Sequence, residues 1–171
     1  MKSNRLPAVI VIPVALVFAV LPLLTPAIFA DEEEAGEGIT VITSERLTFD
    51  YKNNHAVFEH DVVVVDRNMR LTGDRLAVWF NEEGEISSIR AEGNVFITQD
   101  GKIASAGEAT YQVAEGKIVL EKTPRLQRGL HILEGTTITY WRDEERLVVE
   151  PNSVLKIFPG SDGGSLNVFG D

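Results

Sequence analysis

The sequence predicts an all-β protein, and three observations carry that prediction. Apolar and polar residues alternate with a period of two over most of residues 39–158, as in strands that are buried on one face. Turn-forming residues separate these stretches at short, regular intervals. No window after residue 30 shows a sustained apolar stripe at helical spacing, so parallel βαβ architectures lack their crossover helices.

The alternation marks the strands, and the turn signals mark hairpins between them. The clearest stretches place Leu47, Phe49 and Tyr51 between polar neighbours, then Ala109, Tyr111 and Val113, then Leu147 and Val149. The turns are predicted at Asn53-Asn54, residues 81–84, Asp100-Gly101, Glu115-Gly116 and residues 143–145. The run Val62 to Val65 is apolar at every position, so we expect that strand to be covered on both faces.

A short pattern recurs about every thirty residues. A small residue and a polar residue precede two apolar positions in alternation, as in Ser44-Glu45-Arg46-Leu47-Thr48-Phe49, Gly73-Asp74-Arg75-Leu76-Ala77-Val78, Gly107-Glu108-Ala109-Thr110-Tyr111 and Gly135-Thr136-Thr137-Ile138-Thr139-Tyr140. This period favours a repetitive β-stack over a sandwich. We expect Gly73, Gly93, Gly107 and Gly135 to mark bends or bulges that curve the sheet.

The N-terminal segment has the features of an export signal. Lys2 and Arg5 precede an uncharged apolar stretch from Leu6 to Leu24, and Ala30 closes the segment. We expect residues 1–30 to be a cleaved signal peptide, residues 31–38 an acidic leader and residues 159–171 a Gly/Ser-rich flexible tail. An uncleaved membrane anchor is the alternative, although Pro7, Pro13, Pro22 and Pro26 would interrupt a spanning helix. Without cysteine, disulfides and a lipoprotein anchor are excluded.

The charge balance excludes nucleic acid as a partner. Residues 1–30 hold two basic and no acidic residues, so their removal leaves 14 basic against 26 acidic residues and a net charge of −12. No two basic residues are adjacent after residue 30, whereas a phosphate backbone is bound by basic patches.

The sequence contains no recognisable catalytic or metal-binding pattern. His55, His60 and His131 lack the spacing of metal ligands, no serine lies in a nucleophile-elbow context, and the paired carboxylates fall at turns. We therefore expect no enzyme, no metal and no cofactor. A carbohydrate-active enzyme on a repetitive β fold, with two of the carboxylates as catalytic groups, is the remaining enzymatic alternative.

Several stretches resemble the organic-solvent-tolerance A-like (OstA-like) domain of lipopolysaccharide-transport proteins of the LptA and LptC type. The most specific is Ile89-Arg90-Ala91-Glu92-Gly93-Asn94-Val95-Phe96-Ile97; the others are residues 104–111, 116–120 with Pro124, 133–138 and 69–76. The likeness spans roughly residues 39–150. It implies an open twisted antiparallel β-jellyroll with a V-shaped trough for lipopolysaccharide acyl chains. It also implies a periplasmic location and head-to-tail joining of units, either homo-oligomers or other β-jellyroll proteins of the bridge, through their end strands.

An apolar groove needs apolar side chains on one face of the strands. The alternation offers thirteen candidates for the lipid-binding groove: Phe49, Tyr51, Val63, Val65, Leu76, Val78, Val95, Ile97, Tyr111, Ile118, Leu120, Ile138 and Tyr140. Core packing is the alternative for each. Because burial of acyl chains alone gives strong binding, we expect the phosphates of the ligand, lipopolysaccharide or a related acyl lipid, to stay in solvent.

Free strand edges are expected near residues 39–42 and 154–158, where strand addition would join units. Two further alternatives remain open at this point. One is a membrane-anchored partner of the same pathway, resembling LptC, and the other is a structural envelope protein that polymerises by its edge strands.

Overall fold

The computed structural model describes residues 10–11 and 39–158, and within these ranges the chain forms strands and turns only. The predicted leader 31–38, the tail 159–171 and, apart from two residues, the signal 1–30 lie outside the described residues. The strands are β1 (Ile10–Val11), β2 (Thr40–Thr43), β3 (Arg46–Asp50), β4 (His55–Asp66), β5 (Met69–Phe80), β6 (Ile86–Gln99), β7 (Lys102–Gln112), β8 (Lys117–Glu121), β9 (Arg125–Arg128), β10 (His131–Glu134), β11 (Thr137–Trp141), β12 (Arg146–Glu150) and β13 (Val154–Lys156).

All strand pairs are antiparallel, and the predicted turns are confirmed. The five predicted turn segments connect β3 to β4, β5 to β6, β6 to β7, β7 to β8 and β11 to β12. The sequence did not predict the turns at Arg67-Asn68 and Gly129-Leu130. Among the described residues the sheet is open: its end strands pair with a neighbour on one side only.

A line of bends divides the sheet into two halves. The front half-sheet contains β3, β8, β11 and β12 with residues 55–59, 75–80, 86–92 and 108–112 of the long strands. The back half-sheet contains β1, β2, β9, β10 and β13 with residues 62–66, 69–72, 95–99 and 102–106. Each long strand crosses from one half-sheet to the other.

Two kinds of residue make the bends, according to the direction of the strand. Strands that run from back to front bend at a small residue, Ser44, Gly73, Gly107 or Gly135. Strands that run from front to back bend at a pair with positive φ, and these pairs are His60-Asp61, Gly93-Asn94 and Lys122-Thr123. The registers of β4, β5 and β6 shift at these positions. The predicted bends at the four glycines are thereby confirmed.

The two kinds of bend residue contact each other. The amide of Glu45 donates to the carbonyl oxygen of His60 at 3.0 Å, and the amide of Gly107 donates to that of Lys122 at 2.9 Å. A Cβ on Gly73 would lie 3.3 Å from the carbonyl oxygen of Gly93. The recurring sequence pattern is therefore one strand of a repeated two-strand bend, and its two apolar positions enter the front half-sheet on one face.

The core lies where the two half-sheets meet. Leu76 and Ile138 of the front half-sheet are each 1% exposed, as is Val62 of the back half-sheet, and they belong to one cluster. Since residues from both halves share this cluster, the inner faces of the half-sheets pack against each other beside the bends. Among the described residues there is no helix long and apolar enough to cross a membrane.

Candidate lipid-binding groove

The inner face of the front half-sheet carries two apolar rows that run across all of its strands. Residues that pair directly between neighbouring strands share a face, so the register defines each row. The row beside the bends consists of Leu47, Phe58, Leu76, Ala91, Ala109, Leu120, Ile138 and Val149. The next row outward consists of Phe49, Ala56, Val78, Ile89, Tyr111, Ile118, Tyr140 and Leu147.

On β8 and β11, burial falls with distance from the bends. Leu120 and Ile138 of the first row are 4% and 1% exposed, whereas Ile118 and Tyr140 of the second row are only half-buried. On β4 and β5 the second row stays buried at Ala56 and Val78, and beyond it, at the outer end of β3, Phe49 is 39% exposed. The inner face is therefore closed beside the bends and opens to solvent farther out on β3, β8 and β11, as in a groove.

The back half-sheet supplies the second wall of this groove. Its inner row consists of Ile42, Val64, Leu71, Ile97, Ala104, Leu126, Leu133 and Leu155. Ile97 and Leu126 are half-buried and pack against the core cluster. This row is thus apolar on every strand that contributes to it.

The structure brings eleven of the thirteen predicted groove residues to the inner face and divides them by depth. Five are buried by the protein itself: Leu76, Val78, Val95, Leu120 and Ile138. Six are partly or largely exposed: Phe49, Tyr51, Ile97, Tyr111, Ile118 and Tyr140. The second set, and not the first, has side-chain surface available to a ligand.

The face expected for Val63 and Val65 is corrected. Their neighbours Val62 and Val64 are 1% and 7% exposed and belong to the core cluster, while Val65 is 42% exposed on the outer face. The outer face of this strand is therefore not covered as the sequence predicted. Four consecutive valines carry no polar residue that could phase the alternation, and strand geometry alone allows either assignment.

The outer face of the front half-sheet is charged. Arg46 lies 3.6 Å from Glu59, and Arg75 lies 2.5 Å from Glu92. Glu108 accepts contacts from Arg90 at 3.4 Å and from Lys122 at 2.9 Å, and its carboxylate raises the pKa of Lys122. The paired positions Arg46, Glu59, Arg75, Glu92, Glu108 and Glu121 form a charged row across six strands, so this face is suited to water and not to acyl chains.

Aromatic side chains gather at the outer end of the front half-sheet, and the sequence singled out only part of this group. The ring of Phe49 lies 4.6 Å from that of Tyr51 and 5.7 Å from that of Phe80. Phe80 ends β5 beside a register shift, so alternation did not assign it. Ile89, Leu126 and Leu133 on the inner face were also missed, the last two because β9 and β10 have only four residues each.

Within residues 39–158, no three histidine, aspartate or glutamate side chains are placed to hold a metal ion, and no buried side-chain nitrogen or oxygen lacks a hydrogen-bond partner. The ring of His55 lies 6.3 Å from that of Trp79, and Nδ1 of His131 accepts a hydrogen bond from the amide of Phe158 at 3.3 Å.

The sequence profile of the LptA/LptD N-terminal domain family of lipopolysaccharide transport proteins matches residues 41–146. The chain belongs to this family. The match covers most of the described domain and agrees with the resemblance over residues 39–150. A search of curated proteins by sequence finds no significant match.

The fold is also that of a solved member of the pathway. LptH from Pseudomonas aeruginosa, the LptA-homologous periplasmic component of the lipopolysaccharide transport device, superposes with a TM-score of 0.63 at 19% identity. The alignment covers 70% of this chain and 95% of LptH. The predicted fold class, an open twisted antiparallel β-jellyroll, is confirmed, and family membership makes the chain a lipopolysaccharide transport protein.

Proposed function

We propose that the chain carries the acyl chains of lipopolysaccharide, or of a closely related lipid, along the groove between its half-sheets. The observation that supports this proposal is the half-exposed apolar row on each inner wall, outward of a closed core. Each buried methylene contributes about 0.8 kcal/mol, so a few methylenes per acyl chain give useful binding. The charged outer face offers no comparable apolar surface.

We further propose that the protein acts in the periplasm, as one unit of a bridge between the inner and outer membranes. Removal of residues 1–30 during export would leave Asp31 as the first residue. The same cleavage would remove β1, which pairs with β2, so that β2 and β13 would end the back half-sheet. In this proposal the units meet through these two strands. Sequencing the N-terminus of the exported protein tests the cleavage, because an intact N-terminus would indicate an anchored form.

Lipid capture is tested by a matched pair of substitutions on neighbouring residues of β6. Ile97 lies on the inner wall, whereas Phe96 lies on the outer face and is 44% exposed. Ile97→Arg places a charge in the groove and should abolish most lipid uptake, because a charge is poorly solvated among apolar groups. Phe96→Arg should leave uptake unchanged.

The measurement is extraction of each purified protein with organic solvent, followed by mass spectrometry for acyl lipids and by titration with added lipopolysaccharide. The proposal predicts stoichiometric lipid with the unsubstituted protein and with Phe96→Arg. A folded unsubstituted protein that takes up no lipid would contradict it and would favour a structural envelope polymer. Circular dichroism establishes that both variants are folded.

A further inference from the structure

Two cationic side chains stand next to each other at the solvent edge of the back wall. Lys102 pairs directly with Arg128 between β7 and β9, and both are half-buried. Lys102 lies two residues from Ala104, and Arg128 lies two residues from Leu126, so both share the inner face with those groove residues. Their aliphatic stems can thus lie along the apolar wall while their charged groups reach the water at the groove opening.

The rest of this outermost row is nearly neutral. From Asp66 it continues through Met69 and Gln99 to Lys102 and Arg128, and ends at His131, which is 4% exposed. Asp66 stands at the far end of the row. The nearby turn carboxylate of Asp100 accepts a hydrogen bond from Asn68. Positive charge is therefore concentrated on the strands β7 and β9.

A third cation lies near the front end of β7 and is paired with a carboxylate. The guanidinium carbon of Arg142 lies 5.9 Å from the ring of Tyr111, an inner-face residue of β7, and its Nε lies 3.2 Å from Oδ1 of Asp143. The headgroup contact is therefore sought at Lys102 and Arg128 and not at Arg142.

We propose that Lys102 and Arg128 form a subsite for the phosphate groups of an acylated, phosphorylated lipid whose chains occupy the groove. This inference rests on the proposed function and adds a headgroup contact to it. Two like charges directly opposite each other on neighbouring strands repel, and an anion between them removes that repulsion. Neither side chain is without a partner in the structure, so the phosphate joins or replaces an existing contact. Arg and Lys both bind phosphate through charge-assisted hydrogen bonds.

The subsite explains how an acidic protein holds an anionic lipid. The charged outer face of the front half-sheet places its arginines beside glutamates, as in the pairs Arg46–Glu59 and Arg75–Glu92. The pair at the groove edge is placed where a headgroup emerges once the acyl chains lie on Ala104 and Leu126. The expectation that phosphates remain wholly in solvent is replaced by contact at one edge.

The test compares two lipids in a fluorescence competition assay with the full exported protein. The probes are hexa-acylated lipid A with both phosphates and the same lipid without phosphates. Because a hydrogen bond to a charged group contributes about 1.5–3 kcal/mol, the unsubstituted protein should prefer the phosphorylated lipid by at least about tenfold. The double variant Lys102→Gln/Arg128→Gln should lose this preference and bind the dephosphorylated lipid as before.

Two variants control the interpretation. Arg70 is exposed on the outer face of the same half-sheet, so Arg70→Gln removes a nearby charge without touching the groove and should retain the preference. The conservative double variant Lys102→Arg/Arg128→Lys keeps both charges and should retain most of the preference for the phosphorylated lipid. A merely structural role of the two residues in folding would not predict this effect on lipid selectivity.

The outcomes separate this inference from the proposed function. Equal binding of both lipids by the unsubstituted protein, or a preference that survives in the glutamine double variant, overturns the subsite and leaves the groove intact. Failure to bind either lipid overturns both. Inorganic phosphate is the third probe: if it binds the unsubstituted protein as tightly as the phosphorylated lipid does, the cations serve a free anion and the headgroup subsite is overturned.

Discussion

Gly107 and Lys122 touch across the bend between β7 and β8. The amide of Gly107 donates a 2.9 Å hydrogen bond to the carbonyl oxygen of Lys122, and a Cβ on Gly107 would lie 2.6 Å from the Cβ of Lys122. Lys122 has a φ of 61° and binds Glu108. The close approach of these two backbones lets neighbouring strands turn together from one wall of the groove to the other.

Replacement of Gly107 by alanine should therefore destabilise the fold. An added methyl group at this contact forces the bend to open, and overpacking of this kind costs about 1–3 kcal/mol. Gly73→Ala is the matched control, because a Cβ there would meet its nearest atom at 3.3 Å and a small shift relieves the contact. Urea unfolding of the two variants checks the prediction, and equal destabilisation of both would show that the close approach is unimportant.

Two residues on the same face of β11 should separate stability from lipid uptake. Ile138 is 1% exposed beside the bends, so Ile138→Ala should cost about 2–5 kcal/mol in the free energy of unfolding. Tyr140 is half-buried farther out, so Tyr140→Ala should cost less stability and should weaken lipid binding more. Denaturant titration and lipid titration of both variants measure the two effects. A larger loss of stability at Tyr140 would contradict the assignment of core and groove.

Association of units should depend on the apolar end strand. Leu155 of β13 and Ile157 just after it are 50% and 46% exposed, and β13 pairs with β10 alone among the strands that the structure describes. The double variant Leu155→Glu/Ile157→Glu should remain monomeric at concentrations where the unsubstituted protein associates, because the new carboxylates repel an acidic partner. Analytical ultracentrifugation over a range of concentrations gives the mass.

Phe96→Glu controls for simple loss of exposed apolar surface. Phe96 is 44% exposed on the outer face of β6, which is paired on both sides by β5 and β7, so this variant should associate normally. If the unsubstituted protein is monomeric at every concentration, or if the double variant associates as well as the control, joining through β13 is wrong.

Docking of β13 should weaken in acid. The ammonium of Lys156 donates to Glu134 at 2.8 Å, and this contact holds the pKa of the Glu134 carboxyl below its ordinary value of 4.5. Because the folded-state pKa is depressed, the contact stabilises the strand fully above the ordinary pKa and is lost as the pH falls through the lowered value. Amide exchange at Leu155, corrected for its intrinsic pH dependence, should therefore accelerate in that range. Glu134→Gln should show no such acceleration. If both proteins show the same pH profile of amide exchange, the acceleration does not come from protonation of Glu134.

The sequence predicted the strands, both sides of the bend formed by Gly73 and Gly93, and one side of the bends at Gly107 and Gly135. Period-two alternation and turn residues act locally, so the hairpins and the small residues at Gly73, Gly107 and Gly135 were visible in the sequence. The bends at His60-Asp61 and Lys122-Thr123 were not, because the two pairs have no residue type in common and neither contains glycine. A bend made by such different residues leaves no recurring signal in the sequence.

The candidate groove was predicted in kind but not in depth. Alternation placed Leu120 and Ile118 on one face, yet it could not reveal that the first is enclosed by the opposite wall and the second is not. That distinction depends on the distance from the bend. The pairing of Lys102 with Arg128 was also hidden, since β7 reaches β9 only because β8 belongs to the other half-sheet.

The most direct test of the groove is photo-crosslinking from two adjacent residues of β8. Ile118 faces the groove and Val119 faces outward. The two residues are adjacent, so their distances from the bends differ by only one residue. With a photoreactive amino acid at each position in turn, the folded protein incubated with lipopolysaccharide should give a lipid adduct from position 118 and none from position 119. Adducts of equal yield from both positions, or from position 119 alone, would contradict the account.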